Sequence, residues 1–216
     1  MVTNQNIDEA VRIVRRAIRD WQVPIVTQYK DDPLTTLISC LLSLRTRDQT
    51  TSEASARLFR LARTPQQMLT LSTLQIERAI YPVSFYRNKA RTIQAVCREL
   101  LDRYQGRVPS HLEELLTLKG VGRKTANLVV TLAFQRYGIC VDTHVHRISN
   151  RWGYVATRSP EETEMALRRR LPRRHWRIYN DLLVTFGQNL CHPTSPWCSR
   201  CPLDGLCARR GVVRSR

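Results

Sequence analysis

Residues 115–127 read Leu-Leu-Thr-Leu-Lys-Gly-Val-Gly-Arg-Lys-Thr-Ala-Asn, and the fold turns on this stretch. Apolar residues at helical spacing flank a tight turn, Gly120-Val121-Gly122, so the segment predicts an αα-hairpin. Two glycines one residue apart permit positive φ and close approach of another backbone. The amides of the turn and of the next helix's first residues, including Arg123 and Thr125, lack intrahelical acceptors. They also lie at the positive end of that helix's dipole, which suits an anion such as a phosphate. An ordinary hairpin closed by a glycine cap would leave the same pattern.

Lys124 falls in the first turn of the second helix. The dipole and neighbouring Arg123 disfavour another positive charge there, which favours a neutral, nucleophilic amine able to form a Schiff base. Eighteen residues on, Val141-Asp-Thr-His-Val-His146 places Asp142 at the start of a further helix. Its simplest role is an N-cap; its chemical role would be a carboxylate that stabilises positive charge or takes a proton. His144 and His146 invite a metal reading but have no third ligand nearby, so a structural or phosphate-adjacent role fits them better.

Helical periodicity extends over most of the chain. Ile7, Ala10, Val11, Val14, Ile18 and Trp21 form one stripe, Ala90, Ile93, Cys97, Leu100 and Tyr104 a second, and Trp176, Tyr179, Leu183, Phe186 and Leu190 a third. Asp32 with Pro33, Ser110 with Glu113, and Ser159 with Pro160 and Glu162 read as helix starts; Gly120, Gly138 and Gly153 read as stops. The one extended run, Ile139 to Val141, is too short to found a sheet. The prediction is an all-α protein of about ten helices, without internal repeats.

The chain has 216 residues, 42% of them hydrophobic, which is enough for one domain or two small ones with real cores. No apolar run approaches the about 20 residues of a membrane span, and the first residues lack a signal core, so a cytoplasmic protein is expected, associated with the nucleoid if bacterial. A net charge of +17 and a pI near 10.5 point to a polyanion, most simply nucleic acid, rather than a membrane. Only four of the 35 basic residues are lysines, Lys30, Lys89, Lys119 and Lys124. Biased codon usage accounts for the arginine excess as a whole, but each lysine position needs its own reading. The arginines at 168, 169, 170, 173, 174 and 177 straddle Pro172, as a solvated turn or a phosphate-contacting patch.

Four of the seven cysteines, Cys191, Cys198, Cys201 and Cys207, fall within residues 191–207. In a reducing compartment such a window asks for a metal centre rather than disulfides. Unequal gaps of six, two and five residues suit a [4Fe-4S] cluster, with structural zinc as the alternative. Cys40, Cys97 and Cys140 sit in apolar surroundings and read as buried small hydrophobes.

Together LKGVGRKTAN, VDTHVHRISNRWG and the four-cysteine loop, in this order and at these separations, resemble the endonuclease III family of helix-hairpin-helix DNA glycosylases. The likeness runs from the first helix to Cys207. It implies a [4Fe-4S] cluster on the four cysteines. It also implies two lobes: a six-helix barrel with the hairpin over 26–137, and a cluster domain built from 1–25 and 138–216. The activity it implies is removal of oxidised pyrimidines from duplex DNA and strand cleavage by β-elimination at abasic sites, performed by a monomer. Lys124 would attack C1′ and Asp142 would assist departure of the base, flipped into the cleft between the lobes. Gly120, Val121 and Gly122 would hold a phosphate, with Arg123, Thr125 and His144 also facing DNA. Asp48 would match the family's helix-capping aspartate, and Phe85 its apolar wedge that enters the gap left by the flipped base.

The sequence also departs from the family. Arg45 stands where glutamine is usual in the loop opposite the wedge; a guanidinium donates only, so preference for the orphaned base should differ. Ser84 stands where glycine is common, and residues 192–197 hold no lysine or arginine where the family commonly has basic side chains. Two other classes compete. A monofunctional mismatch glycosylase of this fold carries a glutamate near Ser39 and lacks the lysine. A catalytically silent DNA-binding or redox-sensing module would not need both Lys124 and Asp142.

Overall fold

The computed structural model describes residues 1–21 and 32–216. Eleven α-helices and no strand occur among the described residues: α1 (Ile7–Ala17), α2 (Pro33–Ser43), α3 (Asp48–Leu61), α4 (Pro65–Thr70), α5 (Thr73–Ile80), α6 (Tyr86–Tyr104), α7 (Leu112–Thr117), α8 (Arg123–Leu132), α9 (Thr143–Arg151), α10 (Pro160–Arg170) and α11 (Arg173–Asn189). A 3-10 turn, Cys198–Arg200, follows. None of the described helices is long and apolar enough to cross a membrane. Residues 139–141 carry no strand, as their length requires.

The chain forms two compact units, one joining the amino-terminal stretch to Tyr137–Arg216 and the other ending at Arg136. The first expected domain boundary, at 25/26, and Lys30 lie outside the described residues. In the unit of α2 to α8, α2 is buried over its whole length, from Leu34 to Leu42. A helix buried on every side belongs at a core centre, and α3, α6 and α8 pack around this one. Asp32 caps α2 by accepting from the Leu34 and Thr35 amides (3.2 and 3.3 Å), with Pro33 in the first turn. In the other unit α11 packs on α1 and α9, and Ile7, Val14, Ile148, Trp152, Tyr179 and Phe186 form the core. A Cβ at Gly187 of α11 would lie 2.4 Å from the His144 ring, so glycine is what lets α9 and α11 approach.

Three expected helix signals act differently. Ser159 does cap α10, accepting from the Glu162 amide at 3.1 Å, but α7 starts after His111 and Ser110 is not its cap. Gly153, at φ +77°, ends α9, whereas α8 stops at Leu132, well before Gly138. Asp48 lies at the first helical position of α3; Arg47 is the N-cap and makes no side-chain cap hydrogen bond. An acid there still suits the dipole.

Candidate functional site

The hairpin joins α7 to α8 through residues 118–122. Gly120 has φ +78°, and a Cβ on it would come within 2.7 Å of Thr92 Cγ2, so this position requires glycine twice over. Gly122 differs: it is extended (φ −93°), forms the N-cap of α8, and has nothing within 4 Å of where its Cβ would be. Only one of the two glycines therefore uses positive φ. The other keeps the mouth of the helix open and brings no side chain to compete for its amides. Val121 is buried, its amide bonded to the Leu118 carbonyl (3.1 Å). Thr125 is buried, only 2% exposed, so its hydroxyl does not face solvent. Lys124 is half-buried in the first turn of α8.

Elsewhere in the same unit two turns meet. Arg45 follows α2 and Phe85 precedes α6; both have left-handed backbones, φ +55° and +57°. The Arg45 guanidinium lies 5.9 Å from the centre of the Phe85 ring, which is 59% exposed. The turn before Phe85 is tied down: the Arg57 guanidinium donates to the carbonyls of Ala79 (2.8 Å) and Tyr81, and the Tyr81 and Tyr86 rings meet edge to face at 5.4 Å.

In the other unit Asp142 caps α9, its Oδ1 accepting the amides of His144 and Val145, both at 2.9 Å. A second carboxyl stands nearby: Asp181 on α11 is pushed up to about 6 by burial and, secondarily, by the charge of Asp142. Nothing in the sequence singles out Asp181, which sits mid-helix as an ordinary polar residue. The two histidines serve the packing. His146 Nδ1 lies 2.7 Å from the Thr163 hydroxyl, and His144 Nδ1 lies 3.1 Å from Arg147 Nη2. The arginines around Pro172 are largely engaged: Arg168 pairs with Glu164 (2.9 Å), Arg174 with Asp8, and Arg168 and Arg173 lie over Trp176. That favours a structural turn over a phosphate patch.

Cys191, Cys198, Cys201 and Cys207 form no disulfide and line one pocket that is partly open to solvent. Among the described residues no three His, Cys, Asp or Glu side chains converge on a point that would hold a single ion. Four thiols lining one pocket are a donor set of the kind that holds an iron–sulfur cluster. Arg151, 5% exposed, donates to Cys191 Sγ (3.3 Å) and to the carbonyls of His192 and Pro193 (both 2.6 Å). Arg147 donates to the Cys191 carbonyl (2.8 Å). The two arginines fasten the start of the cysteine loop to α9.

Residues 38–173 match the family model of the HhH-GPD superfamily base excision DNA repair proteins. Endonuclease III of Thermotoga maritima is 47% identical, over 97% of this chain and 98% of its own length. The chain belongs to the endonuclease III family. Endonuclease III of Bacillus subtilis is 36% identical over 86% of the chain and 84% of its own length. Among solved structures, a trapped endonuclease III–DNA covalent intermediate (36% identical, TM-score 0.86) and a non-covalent endonuclease III–DNA complex (37%, TM-score 0.87) each align over 97% of both chains. A thermostable thymine-DNA glycosylase, 23% identical with a TM-score of 0.83, shares the fold. As an endonuclease III family member, this chain is a base excision repair DNA glycosylase.

Proposed function

We propose that this protein is a monomeric, bifunctional glycosylase and abasic-site lyase that removes oxidised pyrimidines from duplex DNA, with Lys124 as its nucleophile. The observation that carries the reading is the setting of Lys124: the first turn of a helix whose N-cap, Gly122, leaves open space and no competing side chain. A phosphate drawn to those amides brings a sugar within reach of the amine. The Lys124 amine attacks C1′, and the base departs with a proton. The ring opens to a protonated Schiff base; loss of a C2′ proton then expels the 3′ phosphate. Asp142 assists the departure of the base, its carboxylate held in place by two backbone amides. Residues 26–137 act as the six-helix barrel domain and residues 1–25 with 138–216 as the cluster domain, in a cytoplasmic protein.

Phe85 serves as the wedge and Arg45 as the reader of the base left opposite. Ser39, where related adenine glycosylases have a glutamate, is 1% exposed and bonded to the Ser55 hydroxyl (3.4 Å), which argues against adenine excision by that route. Cys191, Cys198, Cys201 and Cys207 hold a [4Fe-4S] cluster, which when bound supplies iron–thiolate bonds that staple the loop after α11. Purified protein should be brown with broad absorption near about 400 nm; colourless protein with one equivalent of zinc would overturn that assignment.

Borohydride should trap a protein–DNA adduct on duplex carrying an oxidised pyrimidine. Lys124→Gln should abolish the adduct and strand cleavage while duplex binding changes less than about threefold, since one contact among several is lost. An adduct that persists in Lys124→Gln would assign the chemistry to another amine. Asp142→Asn retains a good N-cap residue, so stability should hold while excision slows about 100-fold; excision at the wild-type rate would remove Asp142 from the mechanism.

A further inference from the structure

Lys89 is one of four lysines in a chain with 35 basic side chains, and it is 8% exposed. Its hydrogen-bond partners among the described residues are all neutral oxygens. Nζ donates to the carbonyls of Leu42 (2.8 Å) and Leu44 (2.6 Å) and to the Thr46 hydroxyl (3.2 Å). A buried ammonium with no counter-ion is costly, and burial pushes its pKa down to about 8. A methionine would fill the same space without that penalty, so the charge must be retained for what it holds.

All three N–H donors of the ammonium are used, and all three acceptors lie in the segment that ends α2 and carries Arg45. Thr46 is the hub, because its hydroxyl oxygen also accepts the amide of Ser84, at 3.3 Å, next to Phe85. From the other side Lys89 lies one turn into α6, where its own amide donates to the Phe85 carbonyl (3.0 Å). One residue thus bonds to both turns. Each turn holds a non-glycine residue in the left-handed region, and such strain persists only where the surroundings over-determine it.

We propose that Lys89 is a positioning residue for recognition of the base opposite the lesion: through Leu42, Leu44 and Thr46 its ammonium holds Arg45 and Phe85 together as one preformed probe. The inference rests on the reading that these two side chains enter the gap left by the flipped base. A lysine serving only to cap the carboxyl end of α2 would have no need of Thr46 or of the link to Ser84.

The test uses the full-length protein with its cluster, in variants Lys89→Met and Thr46→Val, with Arg45→Ala and Phe85→Ala as references. Incision is measured on duplexes with each base opposite an abasic site and on a single-stranded abasic oligonucleotide, which has no opposing base. Binding is followed by 2-aminopurine fluorescence opposite a tetrahydrofuran site. Loosening the probe should narrow the spread between best and worst opposing base by about three- to tenfold in Lys89→Met, less in Thr46→Val, and shrink the fluorescence change. Single-strand incision should stay within about twofold. An unchanged base profile in both variants, while Arg45→Ala alters it, would reduce Lys89 to a helix cap and overturn the inference, as would an equal loss on duplex and single strand. An unchanged profile in Arg45→Ala and Phe85→Ala would overturn the underlying reading and the inference with it. If Lys89→Met does not fold, Thr46→Val decides, since it leaves the ammonium on the carbonyls of Leu42 and Leu44 and cuts the hydroxyl that joins Lys89 to Ser84.

Discussion

Three turns of the same unit solve one problem in two ways. The hairpin turn at 118–122 needs a left-handed residue and has Gly120 there, at φ +78°. The turns at Arg45 and Phe85 also need left-handed residues, yet hold an arginine and a phenylalanine at +55° and +57°. Backbone of this kind costs a non-glycine residue about 1–2 kcal/mol. At the hairpin, glycine removes the cost and leaves room. At the other two turns side chains are kept, with Lys89 and Thr46 bonded to the turn segments and Arg45 against the Phe85 ring.

The difference can be broken most forcefully at Gly120. Gly120→Ala adds a Cβ 2.7 Å from Thr92 Cγ2 at positive φ, so it should lower stability by about 1–3 kcal/mol in thermal melts. A melting point equal to wild type would show that the turn does not need glycine. Gly122→Ala meets open space and an ordinary φ, so its melting point should stay near wild type while affinity for duplex falls about three- to tenfold, because the methyl occupies the approach to the α8 amides. Unchanged affinity would separate the phosphate from this turn. Arg45→Gly is the reverse exchange. Strain relief is offset by lost stacking and a more flexible unfolded chain, so stability should stay within about 0.5 kcal/mol of wild type. A loss above about 1 kcal/mol would mean that Arg45 is not strained.

The anchor also carries a pH dependence. Lys89 has a folded pKa of about 8, below its ordinary 10.5, so folding favours its neutral form. Its penalty on stability is full below about pH 8 and is relieved as pH rises toward 10.5. Melting points of the wild type should therefore gain on those of Lys89→Met across that window, and parallel curves would remove the penalty.

The sequence made some residues legible and hid others for identifiable reasons. Lys124, Asp142 and the four cysteines stand in fixed short-range patterns, so spacing alone reached the hairpin, the cap of α9 and the cysteine cavity. Asp32 and Ser159 showed as helix caps for the same local reason. Ser110 failed because α7 begins one residue later than its pattern suggests. The centrality of α2 went unread because a helix buried on every side shows no amphipathic stripe. Lys89 stood out only by its rarity, and Asp181 not at all, since each takes its meaning from residues brought near by packing.

The sequence by itself determined the helical class, the hairpin, the cap of α9 and the cysteine loop. Each rests on a period, a cap or a spacing within a few residues, where local sterics and hydrogen bonding decide the outcome. Tertiary structure alone decided that Gly120 is indispensable and Gly122 merely open, that Asp181 faces the charge of Asp142, and that Arg45 meets Phe85 under the hold of a buried ammonium. Those outcomes join residues 28 to 47 positions apart. No local pattern carries them, because the burial that raises a carboxyl or lowers an ammonium exists only once the core has closed around it.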